Sequence, residues 1–120
     1  MRIVTLIATG FLLLPAGAAL AHAHLLEANP AAGAVVSTGP SQLWLKFNEP
    51  IRVPPSAVRL TWPDGHKLVI KALARDPHAP AAVIAPLPGK LGPGRYSLEW
   101  RALSPDGHNT KGTFRFDVKG

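Results

Sequence analysis

The chain has 120 residues, 47% of them apolar, which is room for one small domain with a packed core and not for two. Proline (13) and glycine (11) make up a fifth of the chain, which excludes a helical bundle or coiled coil, because proline lacks a donor and glycine weakens helix interiors. Cysteine is absent, which excludes a disulfide scaffold, a thiolate zinc site, an iron–sulfur cluster and a thiol nucleophile; the formal charge is +6.

Met1-Arg2 precedes an apolar run from Ile3 to Leu14, then Pro15-Ala16-Gly17 and the small residues Ala18 to Ala21. A basic start, an apolar middle and an A-x-A end describe a secretory signal peptide over residues 1–21. As a membrane anchor the run is short and is broken by Pro15 and Gly17. Cleavage after Ala21 leaves His22 first, and cleavage after Ala23 leaves His24 first. The leucine in Ala19-Leu20-Ala21 and the end of the apolar run favour Ala21, so the expected mature domain is 22–120. Its charge is +5, because Arg2 leaves with the signal. The remaining basic residues are scattered singly along the chain, without the runs of a nucleic-acid arm. They read as a solvated basic surface, and no nucleic acid, DNA included, is expected as a partner.

Seven segments read as strands, six by alternating apolar and polar residues and one, Ala81 to Ala85, as a short apolar run. They are His24 to Ala28, Gln42 to Phe47, Ala57 to Trp62, Lys67 to Leu73, Ala81 to Ala85, Arg95 to Leu103 and Gly112 to Val118. In Lys67 to Leu73 the inward set is Leu68, Ile70 and Ala72. Turn residues lie between the segments, among them Gly39-Pro40, Pro54-Pro55, Pro63-Asp64-Gly65 and Pro105-Asp106-Gly107. This predicts an all-β fold, a seven-stranded antiparallel Greek-key β-sandwich of immunoglobulin-like kind, with a small closed barrel as the alternative. Trp62, Trp100, Phe47, Phe114 and Phe116 are assigned to the core, and Trp44 to a partly exposed position.

The chemistry-bearing residues are five histidines, seven carboxylates and the new N-terminus. Ser104, Asp106 and His108 supply the residue types of a hydrolytic triad, but no nucleophile elbow accompanies them. Paired carboxylates for glycoside hydrolysis lack a cleft in so small a chain. A first-position His22 offers an α-amine and an imidazole Nδ1 that together close a chelate ring on a metal. Nitrogen and oxygen ligands in a tetragonal arrangement favour Cu(II). His24, third in the mature chain, offers a rival planar site made with the amine and two backbone amides. Asp64-Gly65-His66 and Asp106-Gly107-His108 each place a carboxylate and an imidazole two residues apart, and spacing alone does not separate them. The first is assigned to a two-residue hairpin turn, and His78 to a loop.

His22-Ala-His-Leu, Asn29-Pro30-Ala-Ala-Gly33 and Leu43-x-Leu-x-Phe47-x-Glu49 together resemble the CopC family of periplasmic copper-binding (copper resistance) proteins. So do Gly94-x-Tyr96-x-x-x-Trp100-Arg101-x-x-Ser104-x-Asp106-Gly107-His108 and Gly112-x-Phe114-x-Phe116-x-Val118. The resemblance spans the whole mature chain. It implies a periplasmic, non-enzymatic protein for copper sequestration, delivery or resistance, carrying one Cu(II) per chain. Its ligands would be the amine and imidazole of His22, the carboxylate of Asp106 and the imidazole of His108, with Glu49 and His24 as additional candidates. The expected partners are the copper ion and an inner-membrane copper transporter, and the expected state is a monomer. The methionine-rich Cu(I) loop of some members has no counterpart, since the sole methionine is Met1. Two other functions compete. One is an oxidase or monooxygenase built on a histidine brace. The other is an immunoglobulin-like interaction module without metal.

Overall fold

The structure is a computed structural model that describes residues 22–120; the expected signal peptide, residues 1–21, lies outside the described residues. Nine strands form two sheets. One sheet contains β1 (Leu25–Asn29), β3 (Gln42–Phe47), β7 (Ala79–Pro86) and β6 (Ala74–Asp76), in the order β1-β3-β7-β6. The other contains β2 (Val35–Val36), β9 (Asn109–Val118), β8 (Gly94–Leu103), β4 (Ala57–Thr61) and β5 (Lys67–Ile70), in the order β2-β9-β8-β4-β5.

Side-chain alternation drives the assembly. In β3, Leu43, Leu45 and Phe47 are buried, while Gln42, Trp44 and Lys46 point the other way. In β8, Tyr96, Leu98, Trp100 and Ala102 form the matching inner face of the second sheet. Phe47 meets Trp100 edge to face, with ring centroids 5.3 Å apart, and Tyr96 stacks on Phe116 at 5.4 Å. Each such pair contributes about 0.5–1.5 kcal/mol beyond the area it buries. Tyr96 also donates its hydroxyl to the Gly92 carbonyl at 2.8 Å, so its polar end is satisfied inside the core.

Among the described residues the strands number nine rather than the expected seven, and the two additions are short. β2 has two residues and pairs in parallel with β9, Val35 opposite Asp117. β6 has three residues and covers one flank of β7. Neither is long enough to display a period. The segment expected as Lys67 to Leu73 ends at Ile70. As the sheet's edge it leaves Leu68 38% exposed, and beyond it Ala72 is exposed while Leu73 is buried. Trp62 and Phe114 are half-buried against the core rather than within it.

One end of the sandwich gathers three segments. The arm 22–24 enters β1, residues 48–56 join β3 to β4, and residues 104–108 turn β8 into β9. The Arg52 N–H donates to the Leu103 carbonyl at 2.8 Å, its guanidinium reaches the Pro105 carbonyl at 3.1 Å, and the Leu103 N–H donates to Ser56 Oγ at 2.9 Å.

Candidate metal centre

The β8–β9 hairpin fixes Asp106 and His108 through its own hydrogen bonds. The Ser104 N–H donates to the His108 carbonyl at 2.9 Å, and the Gly107 N–H donates to the Ser104 carbonyl at 3.0 Å. Gly107 has φ of 92°, a left-handed conformation that glycine adopts without strain. Ser104 is fully buried, and its hydroxyl donates to Asp106 Oδ1. The His108 N–H also reaches that oxygen, at 3.3 Å. Asp106 Oδ2 lies 2.9 Å from His108 Nδ1. A carboxylate oxygen accepts, so Nδ1 carries the proton and Nε2 keeps the lone pair for a ligand. The Ser104 hydroxyl, and secondarily the His108 ring, hold the Asp106 carboxyl below the usual aspartate range.

The same geometry disposes of the hydrolytic triad. Nucleophile activation requires the imidazole between serine and carboxylate. Here the carboxylate lies between the serine and the imidazole.

The N-terminal arm is held from two sides. Asn48 Nδ2 donates to the His22 carbonyl at 3.3 Å, and Asn48 Oδ1 accepts from the His24 N–H at 2.7 Å. Thr110 Oγ1 donates to the carbonyl of Ala23, which is fully buried, at 2.8 Å. These bonds bring the His22 ring against that of His108, centroids 4.9 Å apart and edge to face, across 86 residues of sequence. The sequence reading did not single out Asn48 or Thr110. An asparagine just after a strand reads as ordinary turn chemistry, and nothing in its spacing points back to residue 22.

Among the described residues, two buried side-chain polar atoms lack a hydrogen-bond partner: His22 Nδ1 and Glu49 Oε1. Both belong to the expected site, and Glu49 adjoins the Asn48 that bonds the His22 carbonyl. Buried polar groups are nearly always satisfied, so a pair left unsatisfied at one end of the molecule is a feature to be explained. The side chains are not preassembled, however. Among the described residues, no three His, Asp or Glu side chains gather as a metal would need, and Asp106 has both oxygens engaged within its hairpin.

His24 lies apart from this arrangement. It is exposed, and its N–H is committed to Asn48, so a planar wrap through deprotonated backbone amides would have to break the arm's anchor.

The two D-x-H groups share one local geometry. Asp64 Oδ1 accepts from the His66 N–H at 3.0 Å and lies 2.5 Å from His66 Nδ1, and Gly65 has φ of 93°. Its connection is five residues, Trp62 to His66, rather than a two-residue turn. What separates the copies is the neighbour of the imidazole. His66 stacks on Trp62 at 4.4 Å, whereas His108 meets His22. His78 follows a third such spacing, Asp76-Pro77-His78, where Asp76 Oδ1 accepts from the His78 N–H and Oδ2 from the Trp44 indole, both at 2.8 Å.

Known proteins share this architecture and sequence. The family model of the CopC domain matches residues 25–119. YobA of Escherichia coli (strain K12) is 36% identical over 99 residues, covering 82% of this chain and 80% of YobA. Copper resistance protein C of Pseudomonas syringae pv. tomato is 33% identical over 129 residues, covering 97% of this chain and 94% of that protein. Among solved structures, the methionine-rich copper resistance protein PcoC from Escherichia coli superposes with a TM-score of 0.71 at 28% identity, over 82% of this chain and 100% of that one. A match that spans all nine strands, together with relatives of more than 30% identity over most of their length, identifies the chain as a member of the CopC family.

Proposed function

We propose that this protein is a non-enzymatic copper-binding protein of the periplasm that sequesters Cu(II) or hands it to an inner-membrane copper transporter. It takes one Cu(II) per chain, held by the α-amine and imidazole of His22, by Asp106 and by His108. The observation that carries this reading is His22: its Nδ1 is buried and unpartnered beside the His108 ring. Export and cleavage after Ala21 would add the amine to the same residue. Its ordinary pKa of about 7.7–8.0 lets a metal displace the proton at small cost.

The donor set suits the cargo. Imidazole, amine and carboxylate are the ligands of Cu(II), and soft thioethers are missing from residues 22–120. A metal that takes Asp106 Oδ2 displaces His108 Nδ1 from it, while Ser104 keeps Oδ1 in place. Glu49, with an unpartnered buried oxygen, serves as an additional weak oxygen ligand or accepts from a metal-bound water. Short loops around the site leave little surface on which a polymeric substrate could lie, which argues for a carrier over an oxygen-activating enzyme.

The test is the Cu(II) paramagnetic resonance spectrum of protein beginning at His22, titrated to one equivalent. The control is a chain with one extra residue before His22. A tetragonal nitrogen/oxygen signal at one copper per chain, altered by the extra residue, supports the terminal site. Stoichiometric binding indifferent to the extra residue overturns it. Oxygen uptake with a reductant, above that of free copper, would assign an oxidase instead.

A further inference from the structure

The basic residues that look scattered in sequence are collected by the fold. In β4, Ala57, Arg59 and Thr61 face outward while Val58 and Leu60 are buried or inward. Residues directly opposite on neighbouring strands share a face. Register therefore carries that outer face to Lys67 and Val69 of β5, to Ser97, Glu99 and Arg101 of β8, and to Lys111, Thr113 and Arg115 of β9. Arg95 and Asp117 continue it, and Lys71 joins Arg59 and Arg101 around a shallow groove of about 370 Å³.

Seven of the twelve Lys and Arg in residues 22–120 thus lie on one face of one sheet, against two carboxylates, Glu99 and Asp117. Arg95 is paired with Asp117 at 3.0 Å; among the described residues the other six cations make no ion pair. The outer face of the other sheet differs. Its charges are Glu27 and Lys46, opposite each other on β1 and β3, and Asp76 of β6, which accepts from the outward Trp44 indole.

Part of this pattern is unfavourable for folding. Arg101 and Lys111 are directly opposed across β8 and β9, an arrangement that destabilises a sheet. Strand spacing of about 4.8 Å and a rise of about 3.4 Å per residue spread the cations over roughly 15 by 20 Å. The area is open and grooved, and Arg95–Asp117 is its one fixed ion pair among the described residues. A protein partner would need a matching fixed array of carboxylates. Mobile phosphate headgroups match any array of this size.

We propose that this outer face of the five-stranded sheet is a docking surface for an anionic phospholipid bilayer. Clustered Lys and Arg are drawn to such a surface within about one Debye length, about 8 Å at physiological salt. Docked flat on its sheet, the domain keeps the end carrying His22 and His108 at its side, open to a partner standing in the membrane.

The experiment is vesicle co-sedimentation of the chain from His22 to Gly120, which holds all nine strands and the core. Vesicles of phosphatidylcholine alone are compared with vesicles containing phosphatidylglycerol, in low salt and in 0.5 M NaCl, about the range over which screening acts. Binding is expected with phosphatidylglycerol in low salt, and its loss in high salt. The variant Lys71→Glu/Lys111→Glu should bind at least about tenfold more weakly, and Lys46→Glu/Lys90→Glu, with the same net charge, should bind as the parent does. Circular dichroism checks that both variants fold. Equal losses in the two variants would reduce the effect to net charge and overturn the proposal. So would absence of sedimentation in low salt. Retention on poly-glutamate without vesicle binding would assign the face to an acidic protein and overturn the lipid reading.

Discussion

Asn48 and His24 hold each other twice: the Asn48 N–H donates to the His24 carbonyl at 2.9 Å, and the His24 N–H donates to Asn48 Oδ1 at 2.7 Å. The amide nitrogen left over on that side chain reaches the His22 carbonyl. With Thr110, which holds the Ala23 carbonyl, this asparagine sets where the first residue of the proposed mature chain sits.

Asn48→Ala should weaken Cu(II) binding by about 10–100-fold, the usual effect of removing a group that orients a ligand. Global stability should fall by only about 1–2 kcal/mol, since the bonds are exposed or near the surface. Competition titration against a chelator, with a thermal melt, separates the two. An unchanged Cu(II) affinity in a variant that still folds would show that the arm finds its place without Asn48.

Gly112→Ala tests the packing behind the site. A Cβ at Gly112 would stand 2.6 Å from the Trp100 indole, on the strand that leads out of the Asp106–His108 hairpin. Trp100 is buried and also meets Phe47 edge to face, so it has little room to retreat. The expected cost is about 1–3 kcal/mol, read as a lower denaturation midpoint at unchanged slope. An unchanged midpoint would mean that the indole swings aside freely.

The sequence carried the sandwich because most of its long strands alternate, while β7 reads as a continuous apolar run. Gln42 to Phe47 is bounded in the structure as its pattern bounds it, and β8 buries the set Tyr96, Leu98, Trp100 and Ala102 that alternation selects. β2 and β6 were not legible, since two or three residues display no period and their pairing depends on a distant neighbour. The meeting of His22 with His108 was legible only through family resemblance. Spacing treats Asp64-Gly65-His66 and Asp106-Gly107-His108 alike, and the difference lies in whether Trp62 or His22 stands next to the ring. The gathering of cations on one face was not legible for a related reason. Charges two residues apart look dispersed along a chain, yet strand alternation puts them all on one side.

Asp76 gives the acid limb of stability a testable part. Its carboxyl lies below the usual aspartate range because the His78 N–H, and then the Trp44 indole N–H, donate to it while burial opposes them. A depressed folded-state pKa means stability that is present above the unfolded value, about 3.9, and lost as pH falls through the folded value. Asp76→Asn should therefore lower the melting temperature at neutral pH and make its decline below about pH 4 shallower than the parent's. Melting curves that run parallel through that range would show that the carboxylate contributes nothing there.

The last prediction concerns oxidation state. PcoC is described as methionine-rich, whereas residues 22–120 of this chain hold neither methionine nor cysteine. Cu(I) prefers soft thioether and thiolate ligands, and the proposed donors are nitrogen and oxygen. Reduction of the loaded protein should consequently release its copper. With ascorbate and a Cu(I)-selective chromophoric chelator, colour should develop as fast as the copper is reduced, and without reductant the metal should stay bound. Retention of Cu(I) against the chelator would require a soft site that this sequence does not contain, and would sink the assignment of His22, Asp106 and His108 as a Cu(II)-selective set. Release on reduction would instead make the redox state of the compartment the control on handover, with the protein loading in oxidising conditions and emptying wherever an electron donor meets it.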